Sequence, residues 1–435
     1  MFGEMISNQP GKIVQARHMA RRALFMKIID SINWYIHPEH CIINFWENKQ
    51  PLSQSFLWFD IHEITDNSYI NPGEEKMNIK ILSATFVGIL SIIQYGHACT
   101  GITLRAKDDS VVVARTVDWH GDEMNSMYVI APRGHKQTSL TPDGKMDGLE
   151  FTSVYGYVGI AVQTPDFIID GTNEAGLSAG LFYFPDYGEY PKYNANRKSD
   201  SIADFELVAW MLARFSTIEQ IKSAIQDVTV TNIDPSASTV HWRITDATGK
   251  QVILEFIDGA AHFYDSKVGA ISNSPGYPWH VTNLNNYINL EPGTSKPKKL
   301  GDITLRPFGS DSKMLGLPGD FTPPSRFVRA ALLSNYSVPQ KNGYESTMKA
   351  FHILNNLDVP LGVEFDAGRA TNNMPSATQW TIATDLGDKV IYYHTMYNRT
   401  IRSIDMKNID FANVQFQYAP LDTAKVQTII PIKVK

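Results

Sequence analysis

One apolar run governs how this chain can be read. Residues 81–93 (ILSATFVGILSII) are its one long apolar stretch, thirteen residues in all. A helix needs about 20 such residues to cross a bilayer, so this one is too short to span comfortably. Lys80 precedes it, and Gly96-His97-Ala98 follows, with small residues at both positions a signal peptidase reads. Charge, short apolar core and small-x-small site together predict a secretory signal peptide over 77–98. Cleavage after Ala98 would make Cys99 the first residue of the mature chain. A buried helix or strand is the plain structural alternative. Gly73-Glu74-Glu75-Lys76 must be encoded by purine-rich codons just upstream of Met77, a pattern like a bacterial ribosome-binding site. Residues 1–76 scatter Trp, Pro and Asn without a sustained period. They read as an over-extended gene start, with a genuine pro-segment as the alternative.

The cleavage site also decides the cysteine chemistry. The chain has two cysteines, Cys41 and Cys99. A mature chain beginning at Cys99 keeps one, which excludes a disulfide framework within it. Net charge is −6 without a long basic run, so nucleic-acid binding has little electrostatic support. The twelve histidines show no HExxH-type spacing and there is no Cys cluster, so no metal is expected. Gly-rich phosphate loops and dinucleotide fingerprints are missing too, and no cofactor is expected.

From Cys99 onward, strands and helices come in groups. Thr100–Arg105 and Ser110–Val117 read as a hairpin across Lys107-Asp108-Asp109. Gly171–Gly176 reads as a turn before a strand over Leu177–Phe184. Helices are expected at about 203–215 and 217–228, the second opened by a capping box over Ser216–Glu219. Ile218, Ile221, Ile225 and Val228 form its apolar face. Strands follow at Thr239–Thr245, Gln251–Ile257 and Ala261–Tyr264. Two more helices are expected at about 325–336 and 344–356, and a last hairpin group from Gln379 to Met406. Grouped antiparallel strands and grouped helices indicate an α+β fold. No repeat or linker divides residues 99–435, which read as one domain.

An N-terminal cysteine is a self-contained catalytic unit. Its α-amine, with a reference pKa of about 7.7–8.0, lies beside its own thiol and can act as general base near neutral pH. The thiolate is the strongest nucleophile among common side chains. A lone cysteine is more often inert core; its position directly after a cleavage site changes that weighing. Lipidation is a competing fate, but a lipobox places Leu three residues before the Cys and a small residue two before. Here those positions hold Gly96 and His97.

At these residues the chain resembles the choloylglycine hydrolase family, which contains bile salt hydrolases and penicillin V acylases. The resemblance runs through Cys99-Thr100-Gly101, Ala114–Trp119, Asp170–Leu177, Ser272–Pro275, Trp279–Tyr287, Gly316–Arg326, Phe351–Asn356 and Thr378–Thr381. It covers essentially all of 99–435, in order. It implies a four-layer αββα sandwich of the Ntn-hydrolase type and a cofactor-free amidase that forms a thioester on Cys99. It implies that Asp118 holds the Cys99 amine, Arg115 tunes the thiol, Arg326 braces the cluster and Asn273 donates to the oxyanion. Arg115 and Asp118 are three apart and would face opposite sides of a regular strand, so a bend or strand end near Val117 is expected.

Bile salt hydrolases carry Asn as a second oxyanion contact where this chain has Tyr183. Penicillin V acylases often have Tyr there. Trp119 resembles the Gram-negative branch, some of whose members hydrolyse acyl-homoserine lactones. Trp119, Val162 and Phe167 are expected to line the acyl pocket. A penicillin V or acyl-homoserine lactone type of substrate is therefore expected, with conjugated bile salts as the alternative. A small-molecule amide is the expected partner, in an exported, periplasmic or extracellular protein without stable membrane association. Family members are often tetramers, so a homo-oligomer is expected. The rival of another class is a lipid-anchored periplasmic binding protein with Cys99 acylated.

Overall fold

A computed structural model of the chain describes residues 98–119, 124–232, 238–363 and 377–434, and the backbone of three short strands between residues 32 and 51. The chain divides into two units, Met1–Phe86 and Val87–Lys435. In the first, Ile32–His37, His40–Glu47 and Gln50–Pro51 form a small antiparallel sheet. Apart from Ala98, the expected signal peptide over 77–98 lies outside the described residues.

The second unit is built on two antiparallel sheets. Their strands, in chain order, are β1 (Ala98–Arg105), β2 (Val111–Trp119), β3 (Met127–Ala131), β4 (Tyr157–Ala161), β5 (Ile168–Asn173), β6 (Ser178–Tyr183) and β7 (Val240–Thr245). β8 (Gln251–Ile257), β9 (Ala260–Asp265), β10 (Ala270–Ile271), β11 (Ala377–Asp385), β12 (Val390–Thr395), β13 (Arg402–Asp405) and β14 (Gln417–Pro420) complete them. One sheet has the order β10-β1-β2-β11-β12-β13, the other β9-β8-β7-β6-β5-β4-β3-β14. Helix α1 (Leu207–Arg214) packs on the eight-stranded sheet. α2 (Ile218–Ala224) follows it, and α3 (Tyr277–Asn283) comes after β10. α4 (Pro323–Tyr336) and α5 (Gly343–Leu354) cover the six-stranded sheet. The layers run helix, sheet, sheet, helix: the expected αββα sandwich.

Burial follows from the layering. A strand covered on both faces must be apolar or internally paired throughout, and β2 (VVVARTVDW) is buried at every position but its last. The sheets close tightly at Gly101, where a Cβ would lie 2.7 Å from Ile271 and 2.8 Å from Phe182 of the facing sheet. The β1–β2 hairpin turns at Lys107–Asp109, with Asp109 in the left-handed region at φ 68°; Asp is among the few non-glycine residues that tolerate it.

Two local expectations are corrected, and some elements were not foreseen. Gly171–Gly176 is not a turn as a whole, since β5 runs through Asn173 before the chain reverses. Its polar residues misled the reading because they are satisfied internally. The Asn173 amide donates to the Leu212 and Phe215 carbonyls, and its oxygen accepts from the Ala175 and Leu177 N–H groups. The capping box is shifted by one residue: Thr217 caps α2, with Gln220 as its reciprocal partner. Glu219 instead pairs with Lys250 and Lys222. Finally, β3, β4 and α3 were not expected. β4 (YVGIA) is wholly buried and short, so no alternation marks it.

Candidate active site

The site forms where the start of β1, the end of β2 and the chain after β10 converge. Cys99 lies on β1, buried, directly opposite Val117. Its backbone N–H donates to Asn273 Oδ1 at 2.8 Å. Asn273 gains that position from strand pairing. Ala270 and Ile271 pair with Ile102 and Gly101, so the next residues run alongside Thr100 and Cys99. The Asn273 amide nitrogen donates to the Tyr183 carbonyl at 2.7 Å.

Arg326 lies in the first turn of α4 and is fully buried. A cation there opposes the helix dipole, so other groups must hold it. Its guanidinium donates to the Cys99 carbonyl at 2.5 Å, to Thr100 Oγ1 at 2.7 Å, to Asn273 Oδ1 at 2.8 Å and to the Phe321 carbonyl at 2.8 Å. The helix start is fixed by Pro323 and Pro324 at its first positions. Asp320 accepts from Thr322 and Ser325, which hold its carboxyl down at about 2.

Arg115 projects from β2 into the space between the sheets, with its guanidinium 3.9 Å from the Phe182 ring centre. It donates to the carbonyls of Leu181 (2.5 Å) and Ile169 (3.1 Å) and pairs with Asp170 at 3.7 Å. Asp170 also pairs with Arg243 at 3.3 Å. The cluster needs Gly180, because a Cβ there would sit 2.5 Å from Asp170 Oδ2. Asp118, also buried, accepts from Thr378 Oγ1 at 2.5 Å and from Thr116 Oγ1 at 3.5 Å.

Both Arg115 and Asp118 act electrostatically on Cys99. The expected irregularity near Val117 exists, but on the neighbouring strand. Thr378 pairs with Asp118 and Trp380 with Val117, leaving Gln379 as an inserted residue in β11. Such a bulge increases local twist in β11, whereas β2 itself stays regular: it pairs with β1 without a shift, and Asp118 shares the face of Thr116. Burial pushes the Cys99 thiol up; Arg115 pulls it down, Asp118 pushes it up, and Arg326 and the Asp118 N–H pull it down. Burial prevails, so the thiol rests protonated and needs a base.

Of the residues named from the sequence, Cys99, Arg115, Asp118, Asn273 and Arg326 are brought together. Tyr183 joins through its backbone carbonyl. Trp119 is half-buried at the end of β2, its carbonyl accepting from Gln379 Nε2 at 3.2 Å. Val162 and Phe167 close the β4–β5 loop through a backbone bond of 3.1 Å. Their contacts place these three around the core rather than in the hydrogen-bonded cluster.

Sequence reasoning quoted Thr100, Thr116, Thr378, His280 and Asp170 within motifs but gave them no role, although the threonines hold the charged groups. It missed Arg243, His241 and Glu255 altogether. A buried polar residue inside a strand, such as His241 in VHWRIT, is the signal that was available. Burial holds His280 down at about 4, against the raising effect of the Asn273 carbonyl, so its ring is neutral near pH 7.

The chain is similar to known proteins in sequence and fold. The family model for linear amide C–N hydrolases, choloylglycine hydrolase family, matches residues 99–422, beginning at Cys99 itself. A bile salt hydrolase/transferase of Clostridium perfringens is 33% identical over 71% of this chain and 92% of its own length. A penicillin V acylase of Pectobacterium atrosepticum is 25% identical over 74% and 84%. A cysteine-to-alanine mutant of the Clostridium perfringens conjugated bile acid hydrolase superposes with a TM-score of 0.65 at 30% identity, covering 77% of this chain and all of that one. The penicillin V acylase of Agrobacterium tumefaciens shares the fold, with a TM-score of 0.57 at 23% identity over 72% and 88% of the two chains.

Proposed function

The chain belongs to the choloylglycine hydrolase family of linear amide C–N hydrolases, and on that premise we propose that Cys99, once N-terminal, is both nucleophile and general base. The observation that carries this is the 2.8 Å bond from Cys99 N to Asn273 Oδ1. The backbone nitrogen, and not the thiol alone, is held inside the buried polar cluster. As a free amine it would take the proton of its own thiol, and Asp118 would hold the resulting ammonium. The thiolate attacks the amide carbonyl, and the C–N bond breaks as the amine leaves with that proton. Water then hydrolyses the thioester, returning the acid and the free thiol.

The tetrahedral oxyanion needs donors fixed in advance. The Asn273 amide nitrogen is one. Tyr183 supplies the other from its backbone. Phe184 N bonds to the Thr239 carbonyl, which makes Tyr183 and Val240 a pair that exchanges no ladder bond. The Tyr183 N–H then points to the same side as its carbonyl, toward Asn273. Arg115 and Arg326 favour the thiolate. Release of residues up to Ala98 by a signal peptidase, with export from the cytoplasm, belongs to the same proposal.

The acyl group is proposed to be flat or flexible and apolar, such as phenoxyacetyl or a medium acyl chain, stacked against Trp119 and Tyr183. The relatives named for conjugated bile acids favour a second reading. One assay decides: kcat/KM on penicillin V, a long-chain acyl-homoserine lactone and glycocholate from one preparation. Penicillin V or the lactone is expected to be cleaved at least as well as glycocholate. A value for glycocholate tenfold above both, about 1.4 kcal/mol of transition-state binding, would transfer the preference to bile acids.

A further inference from the structure

Asn273 carries the proposed oxyanion donor; strand pairing brings the chain to it, yet among the described residues no ladder bond of the six-stranded sheet reaches its own backbone. β10 ends at Ile271, so the carbonyls of Ser272 and Asn273 lie beyond the ladder. Two histidines from different layers occupy them. His241, on β7 of the opposite sheet, points Nε2 at the Ser272 carbonyl at 2.9 Å. His280, in α3, points Nε2 at the Asn273 carbonyl at 2.8 Å. A carbonyl oxygen only accepts, so each ring carries hydrogen on Nε2. His241 Nδ1 faces Glu255 Oε1 at 3.1 Å, and that oxygen also accepts from the Tyr277 N–H at 2.8 Å. His241 stacks on Phe184 with ring centres 4.5 Å apart, and His280 on Phe327 at 4.6 Å. Neither ring is free to turn.

His241, Glu255 and His280 are each 1% exposed. Burying three ionisable side chains is costly, and apolar residues would fill the same volume at less cost. The catalytic steps above use none of them. We propose that His241, Glu255 and His280 form a clamp on the Ser272–Asn273 backbone that sets the Asn273 amide in position for the oxyanion. They are positioning residues, acting through Asn273. The proposal rests on the catalytic reading above.

A reacting group misplaced by about 1 Å can cost on the order of 10²-fold in rate. The test compares His280→Leu, which removes the donor, with His280→Gln, whose amide can restore one near Nε2. Glu255→Leu tests the His241 arm separately. Single-turnover acylation is measured with the better of penicillin V and glycocholate, and alkylation of Cys99 by iodoacetamide is measured alongside. Alkylation needs the thiol but no oxyanion donor. His280→Leu and Glu255→Leu are expected to lower acylation 10- to 100-fold, with KM and alkylation within about threefold of wild type. His280→Gln is expected to recover at least half of the logarithmic loss. If His280→Leu does not fold, Glu255→Leu carries the same comparison. Full acylation in the leucine variants, a glutamine variant as slow as leucine, or parallel loss of alkylation would overturn the clamp. Retained turnover in Cys99→Ala would instead overturn the catalytic reading beneath it.

Discussion

Cys99→Ala is expected to lose amide turnover by on the order of 10⁵-fold or more, as removal of a covalent nucleophile does elsewhere. The fold should survive. Cys99 meets Asn273 and Arg326 through its backbone nitrogen and carbonyl, and alanine keeps both atoms. The side chain loses one buried sulfur, a truncation at the low end of core substitutions. Cys99→Ser should also fold but react far more slowly, because a hydroxyl is a weaker nucleophile at neutral pH. The check is kcat/KM beside the melting temperature. Turnover within tenfold of wild type in the alanine variant would end the mechanism.

A chain that retains Ala98 is expected to be strongly impaired, though less than Cys99→Ala. Its Cys99 nitrogen is an amide without basicity, although the thiol, Arg115, Asp118 and Asn273 are all in place. The loss should match that of a general base, about 10²–10⁴-fold. Ala98 pairs opposite Asp118 on β2, so retaining it also puts a peptide where the ammonium would meet that carboxylate. Two chains released in vitro to begin at Ala98 and at Cys99 give the comparison. Translation from Met77 with export should yield the active form, beginning Cys-Thr-Gly-Ile. Equal activity of the two chains would show that the base lies elsewhere.

Much of the fold was legible because its strands and helices carry local signals. Val111–Val117 is a β-branched run, the α4 start carries Pro323-Pro324, and the β7–β8 turn carries Asp246–Gly249. Strands β3 and β4 were not legible: one is an edge-paired, half-buried segment and the other a short buried run containing Gly159. Their state is decided by partners distant in sequence. The site shows the same division. Cys99 stood out by its place after a cleavage pattern, and Arg115, Asp118, Asn273 and Arg326 through motif resemblance. Their supports were hidden because each is an ordinary residue until the fold surrounds it. Thr378 is one of many threonines until the Gln379 insertion sets it opposite Asp118. His241 gains meaning only when the other sheet brings Ser272 to its Nε2.

The central claim is that acyl transfer passes through a thioester on an N-terminal Cys99, and the acyl-enzyme itself tests it most directly. Turnover is quenched in acid within milliseconds, and the N-terminal peptide, released by pepsin at acid pH so that the α-amine stays protonated and the acyl group stays on sulfur, is weighed. The account predicts that this peptide begins at Cys99, carries one added acyl mass, and loses it to hydroxylamine while its α-amine remains free. An acyl mass on any other peptide, or a trapped and active enzyme in which Cys99 lies inside a longer peptide, would contradict it.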